Sequence, residues 1–147
     1  MRVRELRIEY RPRQDLPTFD ARRILKVPRE AAEFLRPILE NEPVEVFVVV
    51  LLTTKLRVIA YHEVSRGTID ATHAHPREVY KAAILGNAAT ICVGHNHPSG
   101  DPMPSMDDVE LTARLAQAGG LLGIDLLDHV IIGHDNHYYS FKEGAKL

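Results

Sequence analysis

The sequence contains one cysteine, so no disulfide bond can form within the chain. This residue, Cys92, lies in ATICVG, which has the pattern of a buried strand, where a free thiol behaves as a small hydrophobic side chain. No stretch approaches the ~20 apolar residues that cross a bilayer. The longest apolar run, Val46 to Leu52, has the length of a strand. The sequence therefore predicts no membrane association.

A strong excess of either charge is also missing, because 18 Lys and Arg face 20 Asp and Glu. Nucleic-acid-binding domains usually present a broad basic face. Here only the N-terminal segment has a basic excess, which is more often an ordinary solvated segment and gives only weak support to a nucleic-acid partner. The same segment, MRVRELRIEYRPRQ, lacks the apolar core and cleavage site of a secretory signal. We therefore expect a cytoplasmic protein.

A chain of 147 residues has the usual size of one compact domain. We interpret residues 1–27 as an irregular N-terminal lead-in and residues 28–147 as the folded domain. Helical spacing predicts one helix over VPREAAEFLRPILE, with Pro37 expected to kink or end it. A second helix is predicted from Pro76 in HPREVYKAAILGN, and a third in SMDDVELTARLAQAGG, ended by its Gly pair.

The strand predictions alternate with these helices along the chain. EVFVVVLL and LRVIAYHEV are predicted to form an antiparallel hairpin, and TIDAT a short extended piece. AATICVG is predicted as a buried strand, and IDLLDHVIIG and YYSFKEG as two more strands joined by the polar turn HDNH. This mixture predicts an α/β fold of the mixed α+β type, in which helices cover a mixed sheet, rather than a purely parallel doubly wound one.

Two His-x-His-Pro tetrapeptides raise the question of a metal site. A hydrolytic zinc site needs three protein ligands, an open fourth position and a nearby carboxylate. His95 and His97 are two apart at the end of a predicted strand, so their side chains point to the same face. Asp108 lies in the first turn of the next helix, where the loop PSGDPMPS can fold it back as a third ligand.

The upstream tetrapeptide, with His73 and His75, has no carboxylate at the same spacing and is better interpreted as the start of a helix. The segment from Ser105 to Asp108 also fits a helix cap that needs no metal, and capping and ligation are compatible. A cysteine-ligated zinc deaminase is excluded because it needs a Pro-Cys-x-x-Cys pair. A zinc protease motif of the His-Glu-x-x-His type is also absent.

HNHPSGDPMPSMDD is similar to the JAMM signature of the JAB/MPN metalloprotease superfamily, and most closely resembles its RadC-like branch. EVFVVVLLTTKLRVI, AATICVGHNHPSGDPMPS and LLDHVIIG also resemble RadC-family segments, so the resemblance covers roughly residues 28–147. The helix-hairpin-helix region that precedes this domain in full-length RadC proteins is not found. The chain therefore resembles a short, stand-alone form of the family.

The resemblance implies a mixed-sheet fold of the cytidine-deaminase-like type, one zinc ion, and hydrolysis of peptide or isopeptide bonds. Three residues match the metal ligands of the signature: His95, His97 and Asp108. Ser105 matches its serine. Zinc without thiolate ligands is a strong Lewis acid, which is consistent with catalysis. Asn96, between the two histidine ligands, is expected to point the other way and either pack or bridge backbone groups.

The family's glutamate lies at the start of the first long strand, which points to Glu45 as the general base. Glu63 and Glu42 remain alternatives, because the sequence does not show which carboxylate reaches the metal. In the implied mechanism Glu45 accepts a proton from the attacking water. The hydroxyl of Ser105 donates a hydrogen bond to the developing oxyanion.

The sequence is thus predicted to encode a zinc-dependent hydrolase of amide bonds that acts on a protein or peptide. One alternative is a nucleic-acid-associated factor, suggested by the historical DNA-repair label of the RadC family. Another is a non-catalytic interaction scaffold. An exposed sheet edge beside a short terminal strand suggests that the chain could form a homodimer.

Overall fold

The computed structural model describes residues 1–18, 23–67 and 74–147. The elements follow the chain as α1 (Pro28–Leu39), β1 (Val46–Leu52), β2 (Val58–Arg66), α2 (Pro76–Leu85), β3 (Thr90–Asn96), α3 (Met106–Leu122), β4 (Asp125–Ile132) and β5 (Tyr138–Ser140). The five strands form one sheet in the order β2-β1-β3-β4-β5. β3 and β4 are parallel, and the other neighbours are antiparallel. The predicted mixed sheet and its hairpin are confirmed. The piece predicted for TIDAT lies largely in 68–73, outside the described residues.

The sheet has helices on both faces, which explains why β1 is apolar along its whole length. On one face its side chains pack with α2 and α3: Phe47, Val49 and Leu51. On the other they pack with α1: Val46, Val48, Val50 and Leu52. Because cross-strand partners share a face, His95 of β3 lies on the α2 and α3 side with its partner Phe47. The two rings are stacked, with centroids 5.7 Å apart.

The prediction that α3 ends at its Gly pair was wrong. The helix continues through Gly119 and Gly120 to Leu122, and its C-cap, Gly123, has a left-handed φ of 71°. Gly119 is needed for packing, because a Cβ there would lie 2.3 Å from the Tyr80 hydroxyl and 2.4 Å from the Ile124 carbonyl. A glycine inside a helix costs about 1 kcal/mol relative to alanine, and at Gly119 the close packing against Tyr80 requires it, whereas a Cβ at Gly120 would meet no neighbour.

α1 covers most of the predicted stretch. Pro37 does not end it, because the helix continues two residues further, to Leu39. β5 stops at Ser140, because the chain then turns back on hydrogen bonds from Gly144 to the Ser140 carbonyl and from Glu143 to its hydroxyl. The start of α2 at Pro76 and the predicted stop at Gly86 are confirmed.

Cys92 is fully buried, and burial raises the pKa of its thiol. The expectation of an inert, core-forming cysteine is therefore confirmed. Among the described residues, no helix combines the length and the apolar character that a membrane crossing requires.

Candidate metal centre

Four side chains meet where β1, β3 and α3 come together. His95 lies near the end of β3, His97 follows that strand, Asp108 is in the first turn of α3, and Glu45 immediately precedes β1. One potential ligand atom from each lies within 4.8 Å of all the others. The structure therefore brings together the three predicted ligands and the favoured general base.

His95, His97 and Asp108 form a closed triangle of ligand atoms. The Nε2 atoms of His95 and His97 are 3.0 Å apart. The two carboxylate oxygens of Asp108 lie 3.3 Å from His95 Nε2 and 3.2 Å from His97 Nε2. A tetrahedral zinc ion with bonds of about 2.0–2.1 Å has adjacent ligands about 3.3 Å apart. These spacings are close to those of adjacent ligands in such a shell, although different oxygens of Asp108 face the two histidines.

The hydrogen bonds around the triangle direct lone pairs into it. His97 Nδ1 lies 2.8 Å from the carbonyl oxygen of Asp101, which can only accept, so Nδ1 carries the ring proton and Nε2 faces inward. Contact with Asp108 raises the pKa of His97. Burial alone would raise the pKa of Asp108, but its contacts with His95 and His97 hold it well below its usual value. Such a group of inward-facing acceptors favours a cation at its centre.

Asp108 caps α3 and joins the triangle at the same time. Its backbone N–H donates to the Ser105 hydroxyl at 3.1 Å, and its carboxylate accepts from the Ser105 N–H at 2.9 Å. This reciprocal pair fixes the loop that precedes α3 and holds the Asp108 side chain near both histidines. Asp108 thus caps α3 while its carboxylate belongs to the group that could hold a metal ion, and its role as a ligand stays a prediction.

A family model for the RadC-like JAB domain matches residues 25–146, which is most of the chain. The chain belongs to the RadC family. It is 48% identical over 120 residues to a UPF0758 protein of Symbiobacterium thermophilum, a match that covers 82% of this chain and 51% of the relative. A UPF0758 protein of Alkaliphilus metalliredigens is 47% identical over 123 residues, which cover 84% and 53% of the two chains. One of Methanosarcina mazei is 40% identical over 130 residues, which cover 87% and 56%. The chain spans about half the length of the curated relatives it matches.

In this RadC-like domain Glu45 is held beside the triangle. Its Oε1 lies 3.4 Å from His95 Nε2, and its side chain is about one-quarter exposed. Burial raises the pKa of Glu45, and the neighbouring histidines partly oppose the rise. A carboxylate in this position can exchange protons with solvent and with a group at the metal centre.

The two alternative carboxylates are engaged elsewhere in the RadC-like domain. Arg66 donates to Glu42 at 2.6 Å and to Glu63 at 2.6 Å. Neither glutamate belongs to the group of potential ligands. In the upstream tetrapeptide, His75 caps α2 by accepting the Arg77 N–H at 3.1 Å, as a helix start would require. His73 lies outside the described residues.

Asn96 anchors the segment that carries Glu45. Its side chain accepts the Val46 N–H at 2.7 Å and donates to the Val44 carbonyl at 2.9 Å, so it brackets Glu45 on both sides. The expectation that Asn96 bridges backbone groups is confirmed. Ser105 is exposed, and because its oxygen accepts from Asp108, its hydroxyl proton remains available for another acceptor.

Sequence reasoning missed His129 of β4, which lies directly behind the candidate metal centre. Its Nε2 is 2.8 Å from His95 Nδ1, and its ring is completely buried. Burial lowers the pKa of His129. Its only signal in the sequence is a histidine within the apolar strand LLDHVIIG, whose pattern resembles an ordinary core strand.

Proposed function

We propose that this RadC-like domain is a zinc-dependent hydrolase that cleaves peptide or isopeptide bonds in a protein or peptide substrate. The observation that carries the proposal is the triangle of His95, His97 and Asp108 with Glu45 beside it. The ligands are nitrogen and oxygen atoms at tetrahedral spacing, and three protein ligands leave a fourth position open, as catalytic zinc sites require. Membership of the JAMM superfamily, which includes metalloproteases, supports the same reaction class.

Each residue has a distinct role in the proposed reaction. Bound zinc would polarise the scissile carbonyl and lower the pKa of water to about 7. Glu45, with its raised pKa, accepts the proton of the attacking water and delivers it to the departing amine. Ser105, whose hydroxyl proton is available, donates a hydrogen bond to the oxyanion, a contribution on the order of 3 kcal/mol.

The test combines metal analysis with hydrolysis assays on peptide and isopeptide-linked substrates. The wild-type protein should contain about one zinc ion per chain, and His97→Ala should lose it. Glu45→Gln should keep the zinc but lose activity by about 100- to 10,000-fold, the range of general acid–base catalysis. Glu63→Gln removes the same charge from a carboxylate that pairs with Arg66 and should change neither property.

Two outcomes would contradict these assignments separately. Full zinc content in His97→Ala would refute the ligand set. Full activity in Glu45→Gln, with zinc retained, would show that another group is the base.

The described residues give little support to a nucleic-acid partner. Arg7, Arg11 and Arg13 of the N-terminal segment each pair with an acidic residue two positions away. Pairing of this kind leaves fewer cations for phosphate contacts, so we expect weak DNA binding at physiological salt.

A further inference from the structure

The buried ring of His129 has both of its nitrogens in short hydrogen bonds. Nε2 lies 2.8 Å from Nδ1 of His95, and Nδ1 lies 2.6 Å from the hydroxyl of Thr112 on α3. Phe47 and Phe141 pack against the ring, with centroids 5.5 and 4.8 Å away. No carboxylate hydrogen-bonds to the His129 ring among the residues that the structure describes; the carboxylate of Asp128 accepts only the backbone N–H of His129. A neutral ring is therefore favoured, because a buried cation without a partner is costly.

The hydroxyl of Thr112 determines the direction of these hydrogen bonds. Its oxygen lies 2.6 Å from the carbonyl oxygen of Asp108, and a carbonyl can only accept. The single hydroxyl proton is therefore used in that bond. Nδ1 of His129, also 2.6 Å from the hydroxyl oxygen, must then be the donor in its own contact. In a neutral ring this leaves Nε2 of His129 without a proton.

The direction of the bond between His129 and Thr112 determines the direction of the bond between His129 and His95. Because His129 Nε2 can only accept, His95 must donate from Nδ1. The Nε2 atom of a neutral His95 then carries a lone pair, and this atom faces His97 and Asp108 in the triangle. If His129 Nε2 instead donated to His95 Nδ1, a neutral His95 would carry its proton on Nε2 and could not bind a metal through that atom.

We propose that Thr112 and His129 are positioning residues that fix the tautomer and the ring orientation of His95 and thereby set the metal affinity of the domain. This proposal rests on the metal-binding part of the proposed function. The chain of hydrogen bonds runs from His95 through His129 and Thr112 to the backbone of Asp108, so it links two ligands that lie on different elements. Outer groups of this kind typically change metal affinity by about 10- to 100-fold.

The test uses Thr112→Val, which removes the hydroxyl and keeps a similar shape, and Thr112→Ser, which keeps the hydroxyl. Zinc affinity is measured on the full chain by competition with a chelating dye, under conditions in which each variant is folded by circular dichroism. Thr112→Val should bind zinc about 10- to 100-fold more weakly than wild type. Thr112→Ser should remain within about threefold of wild type, because the hydroxyl is restored.

A second measurement follows the imidazole protons themselves. Nitrogen NMR of the metal-free protein at mildly alkaline pH should show His129 and His95 as Nδ1–H tautomers in wild type and in Thr112→Ser. In Thr112→Val the preference of His129 should weaken. Replacement of His129 itself is less informative, because a cavity between two aromatic rings threatens folding.

The outcomes separate this proposal from the proposed function. If wild type binds zinc and Thr112→Val binds it equally well, the positioning role is refuted and the metal site stands. If wild type binds no zinc, the metal site fails, and so does the claimed effect on affinity. An Nε2–H tautomer of His129 in wild type would overturn the proposal in either case.

Discussion

Replacement of Asn96 by alanine should destabilise the RadC-like domain by about 2–3 kcal/mol, which is a large effect for one polar side chain. β1 and β3 pair from Phe47 and His95 onward, and beyond that pair the Asn96 side chain takes over the hydrogen bonding to the segment before β1. Asn96 is almost completely buried, with 3% of its surface exposed.

The expected loss of stability follows from the two backbone groups that lose their hydrogen bond to the Asn96 side chain. The Val46 N–H belongs to a residue that is 1% exposed, and a buried group left unsatisfied costs about 1–3 kcal/mol. Val44 is 38% exposed, so its carbonyl can bond to water, and its share is a few tenths of a kcal/mol. Asn96→Asp keeps the bond to Val46, but it directs an oxygen at the Val44 carbonyl and buries a charge. Its cost should be at least as large.

The assay is urea unfolding followed by circular dichroism, with the m-value compared between variants. Asn41→Ala is the control, because Asn41 is exposed and such substitutions usually stay within about 0.5 kcal/mol. On the proposed function, Asn96→Ala should also lower hydrolysis more than zinc content, because it releases Glu45 and leaves the ligands in place. A loss of stability below about 0.5 kcal/mol would refute the argument that this side chain completes the sheet.

Three further predictions concern packing, a buried carboxylate and the metal. Gly94→Ala should lower the free energy of unfolding by about 1–3 kcal/mol, because its Cβ would lie 2.5 Å from Leu35 Cδ1 in the closed interface between α1 and β3. In urea unfolding, the double variant with Leu35→Ala should lose less stability than the sum of the two single variants. Simple additivity would contradict this contact. Asp128→Ala should lower the free energy of unfolding by about 2–4 kcal/mol, because the Asp128 carboxylate accepts from the Ser140 hydroxyl and from two backbone N–H groups. A loss of stability under about 0.5 kcal/mol in urea unfolding would refute that role. If the free zinc concentration is about 100 times Kd, its removal by a chelator should lower Tm by about 5–10 °C. The His97→Ala variant should show no such shift. An equal shift in that variant would place the zinc elsewhere.

Periodicity and caps predicted most of the fold, because each helix and strand carries its own local signal. The ends of the elements were harder to predict from the sequence, because contacts with residues far along the chain determine them. Gly119 and Gly120 have the local chemistry of a helix stop, yet Tyr80 requires a glycine inside the helix at that point. The parallel pairing of β3 with β4 is also non-local, because α3 lies between the two strands in sequence.

The meeting of the candidate ligands was easier to predict than the groups behind them. His95, His97 and Asp108 lie within 14 consecutive residues, so one loop explains their meeting. His129 lies 34 residues beyond His95 and contacts it only because the two strands pair. No local pattern reports such a contact, and a histidine in an apolar strand is indistinguishable from an ordinary core residue until the sheet order is known.

The choice between Glu45 and Glu63 depends on one extra residue in β2. Glu45 is two residues before Phe47 in extended chain, so it shares the face of His95. Leu52 pairs with Val58, and an unbroken register from there would pair Phe47 with Glu63 and place both carboxylates on that face. A register shift between Leu51 and Leu52 skips a residue, so Glu63 pairs with Val48 instead, on the α1 side. The bulge has no distinctive signature in LRVIAYHEV, so sequence analysis left open an alternative that the register shift places on the opposite face of the sheet from His95.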